Sequence, residues 1–510
     1  MQAHRTAPSL AHPVMPAWRA SSDVVALALV LALCVALRAY HLASASLWAD
    51  EVFSRYYADL FGLRFLLTDG LRAEPNPPTY PLLLQAWMGV FGDGAAALRS
   101  LSVLACTLGV PVVYALGREL IGRREALLGA LLFALCPIGL YFAQEARVYA
   151  MLLPASGLVL WAAAVFLRNH RSTGAILGYV FGGALCLYLH ATAVLLIVAC
   201  GGCVGAALLA LGRGARPALA RWVALNAAVF ALGLPYLVNL GTASRSGSLD
   251  WMQPLHPHDV AMSVAAVVDG MVMPYPWPAI PLAGAALAAL AASLIARPPS
   301  MRALIVLVAV PCAFVAMVVL ISLARPILLP RVLCWTIVPL CAVIGGQLLG
   351  AGRMRFALLG MVAAAFGIGL ALQVASADSN KDPWRDALRA VAPQLRQDDL
   401  VVLSPHNNAM LVSYYVPGVK GLRSWDAGFP PSIESMAADR MGISHITRPQ
   451  ILQAIAAKQT VWVLADGVDL EFLDRLREAV PATTAQSWQC GKTTCIGVAS
   501  WSAASGPRHG

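Results

Sequence analysis

The chain has 510 residues, is 59% hydrophobic and only 12% charged, and has a mean hydropathy of +0.70. That excludes an ordinary soluble domain, because no packed core needs so much apolar surface. The net charge of +10 does not indicate nucleic acid: before residue 380 the basic residues are all arginine, mostly in short loops between apolar runs, and the four lysines (Lys381, Lys420, Lys458, Lys492) lie in or near the C-terminal segment.

Residues 1–23 read as a flexible cytoplasmic tail. The next apolar run, 24–42, is too long for a signal-peptide core despite the cleavage-like Ala43-Ser44-Ala45, and is expected to be an uncleaved anchor. Further runs at 98–118, 125–143, 150–167, 173–190, 192–211, 222–240, 280–296, 303–323, 332–350 and 356–375 are close to the roughly 20 residues needed to cross a ~30 Å bilayer core. The run 78–92 is shorter and opens on Pro77-Pro78. If it does not cross, Arg118/Arg123/Arg124, Arg168/Arg171, Arg213/Arg216/Arg221, Arg297/Arg302 and Arg353/Arg355 all fall on the cytoplasmic side; if it does, all fall on the other. It is therefore expected to be an interfacial or re-entrant helix within a long outer loop, 43–97, which gives about eleven spans.

Counting from a cytoplasmic N-terminus, the transmembrane part (24–376) is followed by an extracytoplasmic α/β domain at 377–510. Helices are expected at Pro383 to Leu395 and Asp469 to Val480, and strands at Leu400 to Leu403 and Thr460 to Ala465. A terminal hairpin follows, which Cys490 and Cys495 could staple in an oxidising compartment. The other nine cysteines lie in or beside apolar runs, as small hydrophobes do.

Polar groups gather on the outer side of this map. Asp50 and Glu51 follow Trp48 just past the first span, where carboxylates at a membrane face are costly unless used. Glu74 and Tyr80 lie further along the same loop, and Arg99 at the outer end of the second span. Glu145, Arg147 and Tyr149 share the next outer turn, while His190 and Arg331 occupy later junctions. Each has a plain alternative as a cap, a solvated loop charge or an interfacial residue. As a set they suit a reaction between a lipid-borne phosphate and a neutral nucleophile: arginines fork onto phosphate, and a carboxylate takes a hydroxyl proton. His256, His258 and Asp259 resemble a metal cluster, but a proline-rich loop accounts for them equally well.

Leu47-Trp48-Ala49-Asp50-Glu51, Pro77-Pro78-Thr79-Tyr80 with Trp87, Leu98-Arg99-Ser100-Leu101-Ser102 and Gln144-Glu145-Ala146-Arg147-Val148-Tyr149 occur in an order that resembles the GT-C class of membrane glycosyltransferases. The resemblance is to the group containing protein mannosyltransferases, lipid A aminoarabinose transferases and rhizobial core-sugar transferases. It covers residues 24 to about 350, and Asp382-Pro383-Trp384-Arg385 is also similar to the bacterial members. It implies a polyprenyl-phosphate sugar donor, a glycan, lipid or protein acceptor, inversion at the anomeric carbon, and catalysis on the outer face of a bacterial inner membrane. By the same resemblance Asp50 is the general base, Glu51 and Glu74 orient hydroxyls, and Arg99, Arg147 and Arg331 are the candidates for the departing phosphate. Some relatives use a divalent metal and others do not, which leaves a metal open. Asn76 stands where many relatives have His, and it neither titrates nor ligates metal well.

Two other readings compete. A lipid or sugar-lipid transporter would suit the spans, but the chain shows neither an inverted repeat nor buried ionisable relays. A non-catalytic assembly partner would use the C-terminal domain as its binding module.

Overall fold

The computed structural model describes residues 17–243, 252, 254–270, 279–350, 352–376, 381–404, 408–425, 433–467, 469–490 and 493–502. The expected tail lies mostly outside them, as does the expected domain boundary at 377. Among the described residues eight helices are long and apolar enough to cross a membrane, and a ninth segment qualifies if the bent pair Arg123–Leu135 and Pro137–Ala143 is one span. Two shorter apolar helices, Thr173–Leu189 and Ile280–Ala296, complete the series. Every expected span falls on one of these segments, though by length and composition nine rather than eleven qualify.

Several spans are less regular than their hydropathy implies. The expected span 98–118 is two helices, Ala95–Thr107 and Gly109–Leu120, that meet at Leu108. The expected span 303–323 contains a π-helical turn, Ile305–Ala309, just before Pro311, whose missing N–H leaves the ladder one donor short. The segment 123–143 bends by 52° at Cys136 and Pro137. Pro137 cannot donate to the carbonyl of Phe133, four residues back. Arg38 donates there instead (Nη2, 3.0 Å) and to the Ala134 carbonyl (Nη1, 2.9 Å), with Cys34 and Cys106 sulfurs at 2.7 and 3.2 Å. This guanidinium, fully buried on the first long helix, is the helix cap that the bend requires.

The loop 43–97 folds as three helices, Ala49–Leu66, Gly70–Ala73 and Thr79–Phe91. At 13 residues the last is about 20 Å long, too short to cross a ~30 Å core. At the opposite end of the helices, Glu119 accepts from Arg168 (3.0 Å) and Arg302 (3.1 Å). Three loops expected on one face are thereby tied together.

The C-terminal part is a six-stranded sheet: β1 Leu400–Ser404, β2 Leu422–Trp425, β3 Ser444–Ile446, β4 Val461–Asp466, β5 Thr484–Cys490 and β6 Thr493–Trp501, in the order β3-β2-β1-β4-β6-β5. The first four are parallel and the last two form the expected hairpin, whose β6 runs antiparallel to β4. Cys495 is disulfide-bonded, and the side chain of Cys490 lies outside the described set. β1 is buried along its whole length because both faces are covered. Val401 and Leu403 join the core shared with the membrane helices, whereas Val402 packs with Ile451 and Leu473 on the other face.

This domain grips the loop 43–97. Tyr415 bonds the backbone of Leu47 (2.6 Å from its N), Tyr414 the carbonyl of Asp93 (2.9 Å), and Arg440 the carbonyl of Leu60 (2.8 Å). The backbone N–H of Arg385, in the Asp-Pro-Trp-Arg motif, donates to Ser46 Oγ (3.1 Å), and its guanidinium donates to the carbonyls of Ala43 and Ser44. Trp425 stacks on Phe472 with centroids 4.0 Å apart. These aromatics pack and dock within the protein.

Candidate active site

Asp50 and Glu51 open the helix Ala49–Leu66, whose N-terminal partial positive charge favours carboxylates. Adjacent helical positions are about 100° apart, so the two side chains part company. Glu51 turns inward and is 0% exposed. Arg99, at 1% exposure, meets it with a two-pronged bond, Nε to Oε1 at 2.9 Å and Nη2 to Oε2 at 2.8 Å. The remaining Arg99 donors go to the carbonyls of Leu42, Ala45 and Ser46 at 3.0, 3.0 and 2.8 Å. Oε1 also accepts from the Ala146 N–H (2.8 Å), and Lys381 reaches Oε2 (3.2 Å). Burial alone would push the Glu51 carboxyl up; Arg99 and Lys381 overcome it and hold it at about 2.

Glu51 was expected beside Asp50 at the reacting groups, orienting acceptor or sugar hydroxyls, and Arg99 was a candidate for the departing phosphate. The structure corrects both placements. Glu51 is sealed and its charge is held by Arg99 and Lys381, and Arg99 has spent all five N–H donors inside the protein. Their effect is to fix the backbone from which Asp50 projects.

Asp50 points the other way and keeps 29% of its side chain exposed. Two guanidiniums converge on its Oδ2: Arg147 Nη2 at 3.4 Å and Arg331 Nη1 at 3.3 Å. Arg147 also bonds the Asp50 carbonyl (3.2 Å) and Ser54 Oγ (3.1 Å) through Nη1, and its buried Nε has no partner among the described residues. The Tyr149 ring lies beneath both, 6.0 Å from Arg147 Cζ and 5.9 Å from Arg331 Cζ. Burial works against the Arg147 charge, and Asp50 and Tyr149 more than offset it. Arg147 is set by its turn: Gln144 Nε2 bonds the carbonyls of Arg38 (3.3 Å) and Tyr40 (2.7 Å), and the Ala146 N–H is held by Glu51.

His190 packs on the other side of Tyr149, with ring centroids 5.6 Å apart. Its Nδ1 accepts from the Thr192 N–H (3.3 Å) and lies 2.9 Å from Thr192 Oγ1. Burial, then Arg331 and Arg147, lower its pKa to about 3, so it is neutral at physiological pH. Asn76 links this turn to the loop 43–97: its Oδ1 accepts from the Ala191 N–H (3.4 Å), while its own N–H and Nδ2 donate to Glu74 Oε1 at 3.0 Å each. Tyr80 stands behind the site, bonded to Ser102 (3.3 Å), which donates to the Arg147 carbonyl (3.4 Å).

The structure thus gathers Asp50, Arg147, Tyr149, His190 and Arg331 in one cluster, of which Asp50, Arg147 and Arg331 are partly exposed. Glu51, Arg99 and Glu145 lie beneath, Tyr80 behind, and Glu74 to one side. Lys381 is a member that sequence reasoning passed over, although it is the first lysine of the chain and directly precedes the Asp-Pro-Trp-Arg motif.

Around Asp50 two guanidiniums face Oδ2, a donor set that suits an anion rather than a divalent cation. Among the described residues no group of three or more His, Cys, Asp or Glu is arranged to hold a metal. Around His256 the Asp259 carboxylate instead caps the helix Pro257–Asp269, accepting from the His256 N–H at 2.8 Å.

A family model described as dolichyl-phosphate-mannose-protein mannosyltransferase matches residues 75–238. No curated protein matches the chain by sequence. In structure the chain is similar to ArnT from Cupriavidus metallidurans in the apo state, with a TM-score of 0.62, 14% identity, and coverage of 96% of this chain and 100% of that one. The same protein bound to undecaprenyl phosphate gives 0.57, 15%, 94% and 99%. The oligosaccharyltransferase of Archaeoglobus fulgidus in its apo form is more distant, at 0.49 and 11% over 88% of this chain and 70% of that one.

Proposed function

We propose that this chain, a membrane glycosyltransferase of the GT-C class, transfers a sugar from a polyprenyl-phosphate donor to an acceptor hydroxyl, inverting the anomeric carbon. The observation that carries the reading is the partly open Asp50 carboxylate facing two largely buried guanidiniums. Two arginine forks side by side suit the phosphate of a lipid donor. ArnT of Cupriavidus metallidurans, which shares the fold, binds undecaprenyl phosphate.

When the donor phosphate arrives it takes over the Arg147 and Arg331 donors, and Asp50 is released to accept the proton of the acceptor hydroxyl. The hydroxyl oxygen attacks the anomeric carbon from the face opposite the phosphate. The carbon–oxygen bond to the phosphate breaks, and the two guanidiniums stabilise the departing polyprenyl phosphate. His190, held neutral, supplies a hydrogen bond to the sugar or acceptor without adding charge, and the Glu74 carboxylate, linked through Asn76 to the neighbouring Ala191 N–H, accepts from a hydroxyl. Glu51 and Arg99 position this machinery.

The site faces outward from a bacterial inner membrane, with the N-terminus cytoplasmic and the sheet domain extracytoplasmic. The arginine loops gathered at the opposite end support this orientation.

The test is a donor panel. Full-length protein in nanodiscs, given polyprenyl-phosphate sugars and nucleotide sugars in parallel with membrane extract as acceptor, is expected to release polyprenyl phosphate from at least one lipid donor. Turnover of nucleotide sugars alone would overturn the reading.

A further inference from the structure

We propose that Lys381, on the segment leading into the sheet domain, is a positioning residue that completes a charge-balanced buried cluster and thereby holds Arg147 beside Asp50. The catalytic half of this inference rests on the transferase reading; the charge balance does not.

Four charged side chains are buried together: Glu51, Glu145, Arg99 and Lys381. Arg99 serves Glu51 but makes no ion pair with Glu145, so Lys381 is what neutralises the second carboxylate. Its Nζ lies 3.2 Å from Glu51 Oε2, 3.3 Å from Glu145 Oε1 and 3.5 Å from the Gln144 carbonyl, with the Trp48 ring 5.8 Å away. Lys381 and Glu51 therefore hold three successive residues, Gln144, Glu145 and Ala146, and the next residue is Arg147. The lysine is itself anchored through Arg385, four residues on, which bonds Ser46 and Ala43. The sheet domain thus supplies the charge that lets the turn 144–147 pack against the Asp50 helix.

Removing Lys381 leaves two buried carboxylates sharing one arginine, and one of them must take up a proton or move. The other titratable groups facing the pair are Tyr80, Tyr141, Arg147, Arg331 and Tyr415. Among the described residues the ion pair at Glu145 is with Lys381, and the Tyr141 hydroxyl also lies against this carboxylate.

The experiment compares full-length wild type, K381M, K381R and K381M/E145Q in nanodiscs. A misplacement of about 1 Å in a catalytic group lowers turnover by as much as 100-fold, so K381M is expected to lose roughly 10- to 100-fold in kcat. K381R retains most activity, and K381M/E145Q regains most of it because one positive and one negative charge leave together. A lysine that merely anchored the sheet domain would give no rescue by E145Q. Melting against pH provides a readout free of substrate. In K381M the uncompensated carboxyl has a folded-state pKa above its unfolded value. Its stabilisation is therefore complete below the unfolded pKa and lost as pH rises through the folded one.

Wild type and K381M/E145Q lack that slope. Wild-type turnover by K381M, a double variant no better than K381M, or identical pH dependence in all the variants overturns the proposal. A wild type that transfers no sugar contradicts the transferase reading alone, and the melting comparison still decides the charge balance.

Discussion

Arg99→Met is expected to leave little folded protein, with a stability loss of about 3–5 kcal/mol, the usual cost of removing one partner from a buried ion pair. Glu51 is fully buried and would keep only Lys381 and the Ala146 N–H. The carbonyls of Leu42, Ala45 and Ser46 would lose their donors in the same step, and each unsatisfied carbonyl costs about 1–3 kcal/mol more where water cannot reach it. Against a typical total stability of roughly 5–15 kcal/mol this is a large fraction. Thermal melting and yield of monodisperse protein measure it. A variant that melts with the wild type would show that Arg99 lies in solvent and that the buried cluster does not exist.

Arg147→Met and Arg331→Met are expected to fold, since both side chains are partly exposed, and to raise the KM for the lipid donor. A charge-assisted hydrogen bond contributes about 1.5–3 kcal/mol, so each variant should lose roughly 10- to 100-fold in donor affinity. The acceptor KM should hardly change, because neither guanidinium is assigned to the acceptor. Lysine at either position keeps the charge but loses the planar fork, so recovery should be partial. Unchanged donor KM in both variants would remove the phosphate from this end of the site.

Much of this arrangement is legible in the sequence, for identifiable reasons. Apolar run length locates the helical segments because a membrane fixes their dimension. The run 78–92 is read as non-spanning from loop arginines that lie far from it, and its helix is only 13 residues long. Asp50, Arg147 and Arg331 stand out because ionisable residues beside apolar spans are rare. What pattern does not reveal is which way a side chain faces. Asp50 and Glu51 look equivalent in the chain, and one helical step makes one an open carboxylate and the other a sealed strut. Arg38 passes unnoticed because its partners are carbonyls freed by Pro137, 99 positions further along. Lys381 is missed because its contacts with Glu51 and Glu145 span 330 and 236 residues. In the sheet domain, β1 and β4 are read from their continuous apolar runs, whereas β2 and β3 are short and carry Arg423, Ser424 and His445.

The most direct test of the account is the rate at which polyprenyl phosphate leaves an accepted lipid donor, measured side by side for wild type and Asp50→Asn in the same nanodiscs. Asparagine preserves the shape of the side chain and cannot take a proton at neutral pH. General-base catalysis contributes about 10²–10⁴-fold, so Asp50→Asn should release polyprenyl phosphate at least 100-fold more slowly while melting near the wild-type temperature. Wild-type release by the folded variant would contradict the assignment of Asp50 as the base.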